Sequence, residues 1–317
     1  MLMIVLLGFD SSCPAQVPLP KAKPIPRMQA VPLPHDQVSF EREGVEIARY
    51  HFDPADERPF VFPVIGPSGK TLTRMGHPHD PQGHSHHNSV WITHNDVNGF
   101  VFWSDKGDGK IIHQRIERLD DGDDECGVLT VNHWIGKEGR VLLEERRRTA
   151  ARALPDKEWF LLLDLELIAR GAPVTFGKSA FGLVGVRMAK TIGVSDGGGT
   201  IRNSAGNVDE QGDNGCFWKR AKWCDYSGPV TPKANEGITL MDHPANVNHP
   251  THFHVRSDGW MGSSLSFDGP ITLEPGRPLR LRYGLYIHAG VPVLKSLEAK
   301  WAEFAAWPVA DLAPKKK

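Results

Sequence analysis

The chain has 317 residues, 40% of them hydrophobic, which is enough for a sizeable core in one large domain or two average ones. Its formal net charge of -1 argues against a general binder of nucleic acid or of acidic membranes, because such proteins usually present a basic surface. Two basic clusters are short. We expect the arginines at 146–148 to form the exposed end of a strand, and the lysines at 315–317 to belong to a solvated tail at 311–317.

The first fifteen residues resemble a secretory signal peptide. Residues 2–9 form a short apolar core, and small residues up to Ala15 precede a plausible cleavage point. This run is shorter than the roughly 20 apolar residues that span a bilayer, and no later run is long enough. We therefore expect a bacterial protein that is exported to the periplasm or secreted, without insertion into a membrane.

The cysteine count limits disulfide bonding. Without Cys13, the chain keeps Cys126, Cys216 and Cys224, and an odd number cannot form a complete set of disulfides. A disulfide between Cys216 and Cys224 is one interpretation, and buried free thiols are the other. No C-x-x-C motif is present, so a zinc site built on cysteines is not expected.

The first half of the chain predicts a leader followed by strands. Residues 16–37 are rich in proline and predict an extended leader. From residue 38 onward, Gly, Asp and Pro separate short β-favouring runs at 60–65, 89–97, 110–119, 127–135, 140–148 and 160–169. The last run is the clearest, since leucines at every second position from 161 to 167 are typical of a strand with one buried face.

The second half continues with predicted strands at 251–256, 260–267, 270–273 and 279–288. Helical spacing appears near the end, where one amphipathic stripe is formed by Val293, Leu297, Trp301 and Phe304. Many short strands and one late helix predict an all-β fold, a large antiparallel sandwich or barrel with a short C-terminal helix. No break in composition divides the body, so we expect a single domain at 38–310.

Histidines are concentrated between residues 76 and 99, where the sequence reads G-H-P-H-D-P-Q-G-H-S-H-H-N-S-V-W-I-T-H-N-D-V-N-G. In an extended segment, residues two apart share a face, which pairs His84 with His86 and aligns His94, Asp96 and Asn98. We expect this polar set to face a cleft or solvent while Ile92 or Val97 faces the core.

Two further polar clusters follow. Residues 242–256 read D-H-P-A-N-V-N-H-P-T-H-F-H-V-R, which places His252, His254 and Arg256 on one face of an extended segment. Residues 218–226 interleave cations, tryptophans and an acid, including Lys222 and Asp225. We expect these clusters to line the same cleft as the first, although surface polarity or core packing is the simpler explanation for any single residue.

Two chemistries are open for the histidines. Imidazole titrates near neutrality, so acid–base catalysis without a cofactor is the first hypothesis. Its catalytic candidates are His86, His87, His94, Asp96, His252 and His254. A divalent transition metal is the alternative, although no specific metal-binding spacing is present. Its ligand candidates are His84, His86, His252 and His254.

Binding residues are proposed on the same basis. Tryptophans supply flat apolar faces of the kind that bind sugar rings, although for any single one core packing is the commoner role. The substrate-binding candidates are Trp91, Asn98, Arg187, Lys222, Asp225 and Arg256. The sequence contains no G-x-S-x-G nucleophile elbow and no phosphate-binding loop. The sequence also does not identify a pair of catalytic carboxylates of the glycosidase type.

The motifs resemble the PmoA-like family over about residues 55–290. They read G-H-S-H-H-N-S-V-W-I-T-H-N-D-V-N-G-F-V-F-W, N-S-A-G-N, K-R-A-K-W-C-D-Y-S-G-P-V and M-D-H-P-A-N-V-N-H-P-T-H-F-H-V-R-S-D-G-W. The resemblance implies a galactose-mutarotase-like supersandwich, in which His and acidic side chains on a large sheet handle sugars. The family commonly shows Gly-Asp-Thr-x-Glu-Gly where this chain has residues 177–182, so Lys178 and Phe181 depart from its acidic pair.

The leading hypothesis is therefore an exported enzyme that acts on a small carbohydrate by epimerisation, elimination or hydrolysis. The alternatives are a metal-dependent hydrolase or oxygenase, and a sugar-binding protein without catalysis. Oligomeric state is not defined by the sequence. A histidine base titrates at about 6.5, and a carboxylate such as Asp96 would raise that value, so we expect activity to fall as the pH drops through roughly 7.5 to 6.

Overall fold

The protein is mostly β-strand in the computed structural model, which describes residues 24–76 and 83–313. The first ten strands are β1 (Met28–Leu33), β2 (Gln37–Arg42), β3 (Val45–His51), β4 (Phe60–Val64), β5 (Val90–Ile92), β6 (Lys110–Asp120), β7 (Glu125–Ile135), β8 (Val141–Ala153), β9 (Trp159–Ala169) and β10 (Val174–Phe176). The others are β11 (Leu183–Arg187), β12 (Thr200–Asn203), β13 (Lys219–Arg220), β14 (Trp223–Thr231), β15 (Ala234–Asp242), β16 (His252–Arg256), β17 (Trp260–Ser264), β18 (Ile271–Leu273) and β19 (Leu279–Ala289). The α-helices are α1 (Val194–Gly197) and α2 (Leu294–Ala306).

Two large antiparallel sheets pack face to face. The nine-stranded sheet has the order β1-β2-β3-β4-β5-β11-β17-β16-β13, and the eight-stranded sheet has the order β12-β14-β15-β19-β9-β8-β7-β6. Strands β10 and β18 form a separate two-stranded ribbon. Residues far apart in sequence therefore become neighbours, and β5, β11, β17 and β16 lie side by side.

The alternating pattern of β9 is a direct consequence of its position in the sandwich. Leu161, Leu163 and Leu165 belong to the core between the sheets, whereas Phe160 and Leu162 face outward into a second apolar cluster. Both faces of β9 are buried because α2 covers the outer face of the eight-stranded sheet. Apolar burial on both sides explains why the even positions are also largely hydrophobic.

Helix α2 packs against that outer face through Leu297 and Phe304, both fully buried. Gly284 on β19 permits the close approach, since a Cβ there would lie 2.9 Å from the Phe304 ring. The prediction of a large antiparallel β-sandwich with a short C-terminal helix is thus confirmed.

The element boundaries differ from the prediction in two places. Strand β1 lies within the segment predicted as a leader, where it pairs with β2 over its whole length. The strand predicted over 89–97 is much shorter, because β5 ends at Ile92 and a turn follows. The predicted signal peptide at 1–15, residues 77–82 and the lysines at 315–317 lie outside the described residues.

The arginines at 146–148 are buried, so the prediction of an exposed strand end was wrong. Arg147 points into the core and pairs with Glu145, which also accepts a hydrogen bond from the Trp134 indole at 2.6 Å. Arg146 and Arg148 face outward and pair with Glu117 and Glu125. Ion pairing offsets the cost of burying these charges.

The three described cysteines are free and buried, so Cys216 and Cys224 form no disulfide here. Burial, together with the neighbouring Cys216 thiol, raises the pKa of Cys224. Within the described residues, no helix is both long and apolar enough to cross a membrane.

Candidate active-site cleft

Two tryptophans, Trp91 and Trp260, lie side by side on the outer face of the nine-stranded sheet. We call this pair the aromatic floor. Strand pairing aligns Trp91 with Gly185, Gly185 with Gly262, and Gly262 with His254 in one row across four strands. A Cβ on Gly185 would lie 2.8 Å from the Trp91 ring, and a Cβ on Gly262 would lie 2.5 Å from Trp260. The two glycines therefore allow both indoles to lie against the backbone, since any side chain would lift them.

Histidines from the loop before β5 stack on this floor. The His87 ring lies parallel to Trp260 at a centroid distance of 4.9 Å and tilted against Trp91 at 5.1 Å. His84 stacks on His87 at 4.5 Å, and His86 meets His87 edge-on at the same distance. One histidine from the first predicted cluster thus joins the floor, and two lie above it.

A cleft of about 680 Å³ opens above the floor. That volume lies within the range of sites that bind small molecules. Its polar lining residues are His84, His86, His87, Asn95, Ser195, Glu210, His254, Arg256, Ser257 and Asp258, and its aromatic lining residues are Trp103, Phe181, Phe217, Trp218 and Trp260.

The charges of the cleft are paired. Arg187, which lies buried beneath the cleft, donates to Asp258 at 3.0 Å. Arg256 contacts Glu210 at 2.9 Å, and Glu210 also accepts the backbone N–H of Ser257 at 2.6 Å. Burial raises the pKa of Glu210, but the hydrogen bonds from Ser257 and Gln211 and the charge of Arg256 outweigh it, so the pKa is lowered overall. Each of these two arginines thus has a carboxylate partner.

Burial lowers the pKa of three histidines of the cleft, His86, His87 and His254, so these rings are neutral at physiological pH. Burial, which disfavours the charged ring, lowers the pKa of His86 to about 4. Burial, assisted by the charge of Arg256, lowers the pKa of His254 to about 4. The pKa of His87 is lowered further, again mainly by burial. A neutral imidazole offers one hydrogen-bond donor and one acceptor, so these rings can accept a proton.

Several buried polar atoms of the site have no hydrogen-bond partner among the described residues. They are Nδ1 of His87, Nδ1 of His254, and the indole Nε1 atoms of Trp91 and Trp260. Buried polar groups are normally paired, and an unpaired one carries a free-energy cost. Such atoms also occur away from the cleft, as at Tyr50 Oη, and those beside the cleft are the ones whose missing partner a bound ligand or water could supply.

The structure brings several of the predicted site residues together at this cleft. His84, His86, His87, His254 and Arg256 line it, although they come from clusters about 170 residues apart. The predicted binding residues Trp91 and Arg187 lie beneath the cleft. Trp91 belongs to the aromatic floor, and Arg187 pairs with Asp258.

The predicted alignment of His94, Asp96 and Asn98 along the cleft was wrong. His94 is fully buried, with Nε2 2.8 Å from Ser266 Oγ, and it meets Phe176 edge-on. Because Trp91 faces the cleft, its neighbour Ile92 faces the core, and His94 shares the parity of Ile92. Asn95 reaches the cleft instead.

Asp96 and Asn98 stabilise the turn that follows β5. Asp96 accepts the backbone N–H of Gly99 at 2.8 Å, and Asn98 accepts that of Thr175 at 2.7 Å. Burial also lowers the pKa of His94 to about 4 against the raising effect of Asp96, so the expected rise above 6.5 was wrong.

Three other predicted residues lie outside the cleft. His252 stacks on Phe267 at 4.1 Å beside the cleft. Lys222 pairs with Glu298 of α2, on the side of the eight-stranded sheet. Asp225 is fully buried in that sheet and bonds to His288 Nε2 at 2.9 Å and Thr239 Oγ1 at 2.9 Å. The last two stabilise the fold rather than forming part of the cleft.

Both acidic residues of the cleft were missed by the sequence prediction. Asp258 follows the His-x-His-x-Arg face of β16 in the turn that returns to β17, a position that could have been proposed from the adjacent Gly259. Glu210 lies in a long segment without regular structure, and no local pattern identifies it.

The four residues predicted as metal ligands do not come together in one set. Within 24–76 and 83–313, no group of three or more His, Cys, Asp or Glu side chains is arranged to hold a metal ion. His84, His86 and His254 line the cleft but His252 does not, so the predicted four-ligand set is not formed.

The departure at residues 177–182 falls partly on the cleft. Phe181 lines it and meets His254 edge-on at 4.9 Å and Trp103 at 5.5 Å. Lys178 is exposed. One of the two positions that depart from the resembled family therefore contributes an apolar ring to the wall.

The fold and the site together define the class of protein. It is a two-sheet β-sandwich that carries a cleft of histidines and tryptophans on the outer face of one sheet. The chain belongs to a family of unknown function, DUF6807, whose model matches residues 37–302. This match gives no support for the PmoA-like name that the motifs suggested. Comparison with curated proteins gives no match.

The solved structures to which the chain is similar are distant in sequence. The chain is similar to heparan sulfate lyase HepC from Pedobacter heparinus at 8% identity and a TM-score of 0.40, over 82% of this chain and 36% of that one. It is also similar to a GalM/aldose epimerase homologue from C. elegans at 10% identity and a TM-score of 0.30, over 83% of this chain and 99% of that one. The chain thus spans about a third of the length of the lyase.

Proposed function

We propose that this protein binds a neutral sugar in the cleft and acts on it by acid–base chemistry, with His254 and His86 as the proton-transferring groups. The observation that carries the proposal is the set of neutral imidazoles above an aromatic floor, with unpaired buried nitrogens on His87 and His254. A sugar ring combines apolar C–H faces with hydroxyl groups, which fits both features.

Charge pairing favours a neutral sugar over an acidic one. Both arginines at the cleft already have carboxylate partners, and burial lowers the pKa of His86, His87 and His254 so that these rings carry no charge at neutral pH. A sugar carboxylate or sulfate would need an unpaired cation, because charged groups are costly to bury without a partner. Hydroxyl groups can use the donors and acceptors of neutral imidazoles and indoles.

The two reactive histidines have different surroundings. His254 lies on β16, packed between Phe181 and Phe217 at centroid distances of 4.9 and 5.1 Å, so its ring is held firmly. His86 lies in the loop and contacts Trp103 at 6.0 Å. We propose that one of these neutral rings accepts a proton from a sugar hydroxyl or ring carbon, and that the imidazolium so formed returns that proton to the product, so that both rings are neutral again at the end of the cycle.

A sugar-binding protein without catalysis is the second candidate, favoured by Phe181. This apolar ring occupies a cleft position where the resembled family commonly has an acid. A cleft without that acid can still bind through its floor. Export, proposed from residues 1–15, fits both functions, since either protein would meet sugars outside the cytoplasm.

The test is a panel of neutral monosaccharides and oligosaccharides, observed by saturation-transfer NMR for binding and by proton NMR over hours for turnover. We expect saturable binding of at least one neutral sugar, weaker binding of its uronic acid, and chemical change in the bound sugar. Binding without change would select the non-catalytic candidate. Absence of binding across the panel, or a preference for uronic acids, would contradict the proposal.

A further inference from the structure

Aromatic rings continue past the mouth of the cleft along the surface. The Trp218 ring lies 6.2 Å from that of His254 inside the cleft and 5.7 Å from Phe267 outside it. Phe267 in turn stacks on His252 at 4.1 Å. We call Trp218 and Phe267, backed by His252, the aromatic shelf.

Trp218 is held in an unfavourable backbone conformation. Its φ of 57° lies in the left-handed region, which bulky side chains rarely adopt and which costs about 1–3 kcal/mol. Its backbone N–H donates to Phe253 at 2.8 Å, which ties this conformation to β16. The result is an indole stacked on Phe217 at 4.4 Å with 46% of its surface exposed. Nearly half of the indole surface therefore stays available as a stacking face beside the cleft.

The shelf is continuous with the cleft and has a suitable length. His254 and His252 are two residues apart on β16, a step of about 6.6 Å along the strand. That step is of the same order as the length of one pyranose unit. Polar side chains flank the shelf, where Arg220 pairs with Asp268 and both side chains remain about half exposed.

We propose that the aromatic shelf is a second sugar subsite, so that the ligand is a neutral oligosaccharide with one ring in the cleft and the next over Trp218 and Phe267. This rests on the proposed function, because the shelf extends the same site. The exposed indole face supplies a stacking surface, and Arg220 and Asp268 can contact the hydroxyl groups of the second ring.

The experiment measures affinity against chain length with gluco-, manno-, galacto- and xylo-oligosaccharides of one to six units, by titration calorimetry. For the wild-type protein we expect a gain of about threefold to tenfold from one unit to two in the ladder that binds, as expected for one aromatic stacking contact. Phe267→Ala, which lies outside the cleft lining, should reduce that gain while leaving monosaccharide affinity unchanged. Trp218→Asn should abolish the gain, and because Trp218 also lines the cleft, its effect is scored as the ratio of two-unit to one-unit affinity.

The Trp218→Asn variant carries its own control for folding. Asparagine tolerates a positive φ, so the urea midpoint of this variant should equal or exceed that of the wild type. Val293→Ala, which removes an apolar group 67% exposed elsewhere on the surface, should leave the ladder unchanged.

The outcomes separate this inference from the proposed function. Monosaccharide binding with no gain at two units would overturn the shelf subsite and leave the cleft assignment intact. A wild type that binds no member of any ladder would overturn both. A dimer in analytical ultracentrifugation that Trp218→Asn converts to monomer would show that the shelf serves a second copy of the chain instead.

Discussion

The outer faces of the two sheets differ in what covers them. On the eight-stranded sheet, the apolar half of the face is covered by α2, and the charged half is a lattice of ion pairs in which Arg282 pairs with Asp164 and donates to the Trp307 and Pro308 carbonyls. On the nine-stranded sheet, the region around Trp91 and Trp260 lies beneath an open cleft.

This difference suggests that one outer face contributes to folding stability and the other to ligand binding and catalysis. On the covered face the buried charges are ion-paired, as Arg282 is with Asp164, which offsets the cost of burying them. The open face keeps buried nitrogens of His87 and His254 without protein partners, a cost that a ligand can offset. Substitutions on the two faces should therefore affect different measurements.

The largest effect is expected on the open face. His254→Ala should lower turnover by roughly 10²- to 10⁴-fold, because it removes a group that transfers a proton. His133→Ala on the eight-stranded sheet should leave turnover within about twofold, since that half-buried ring contacts Glu144 far from the cleft. Steady-state rates of both variants against the sugar that the NMR panel identifies provide the measurement. Equal losses in the two would remove His254 from the mechanism.

The covered face should respond in stability instead. Phe304→Ala removes a fully buried ring that lies over Gly284, and we expect a loss of about 3–5 kcal/mol in unfolding free energy. Sugar affinity of the folded variant should remain that of the wild type. Lys295→Ala on an exposed position of the same helix should change stability by less than about 0.5 kcal/mol. Urea unfolding compares the two, and a Phe304→Ala protein of wild-type stability would show that α2 contributes little.

A glycine of the floor should couple both measurements. In Gly262→Ala the new Cβ would lie 2.5 Å from Trp260, so the indole must move, at a cost of about 1–3 kcal/mol, and sugar affinity should fall with it. Gly269→Ala is the matched control, because nothing lies within 4 Å of its Cβ position. Calorimetric titration and urea unfolding of the pair test the floor. Unchanged affinity in Gly262→Ala would mean that the indole does not contact the sugar.

The acid limb of the pH–rate profile should lie below the pH at which an ordinary histidine titrates. His86 and His254 have pKa values lowered to about 4, so activity should change little from pH 7 to about 5 and fall as the pH drops through about 4. Between about pH 6.5 and pH 4, histidines of the unfolded chain bind protons whereas the buried native rings remain neutral. The free energy of unfolding should therefore fall as the pH falls. Rate profiles and urea midpoints across this range are the measurements. An acid limb near 6.5 would contradict the burial of these rings.

The smallest effect is expected from a chelator. EDTA should leave the height and the limbs of the rate profile unchanged, because the described histidines of the cleft form no metal-binding group. Metal analysis before and after treatment completes this test. Activity lost at every pH and restored by one divalent metal would reverse the ranking of acid–base and metal chemistry.

The sequence predicted the fold well because the relevant signals are local. Alternation in β9 and the stripe from Leu297 to Phe304 in α2 are visible without knowledge of any contact. Composition of the site was also partly visible, since two histidine-rich segments each supplied cleft residues.

The remaining errors concern information that is not local. Strands β13 and β14 belong to different sheets, so the chain crosses between them at Ala221 and Lys222, and the cluster that looked continuous at 218–226 is divided. Trp218 therefore reaches the cleft whereas Asp225 is buried in the other sheet. Likewise His94 was assigned to the wrong face because the orientation of one residue, Trp91, sets the parity of its neighbours.

The path of the last described residues has a practical consequence. After α2, the chain runs back across the eight-stranded sheet, where Arg146 donates to the Leu312 carbonyl at 2.8 Å. A tag or tether joined after Ala313 would therefore leave from the side of the sandwich opposite the cleft. A sensor surface that captures the protein by such a tether would hold every molecule with its cleft facing the solution, open to large glycans.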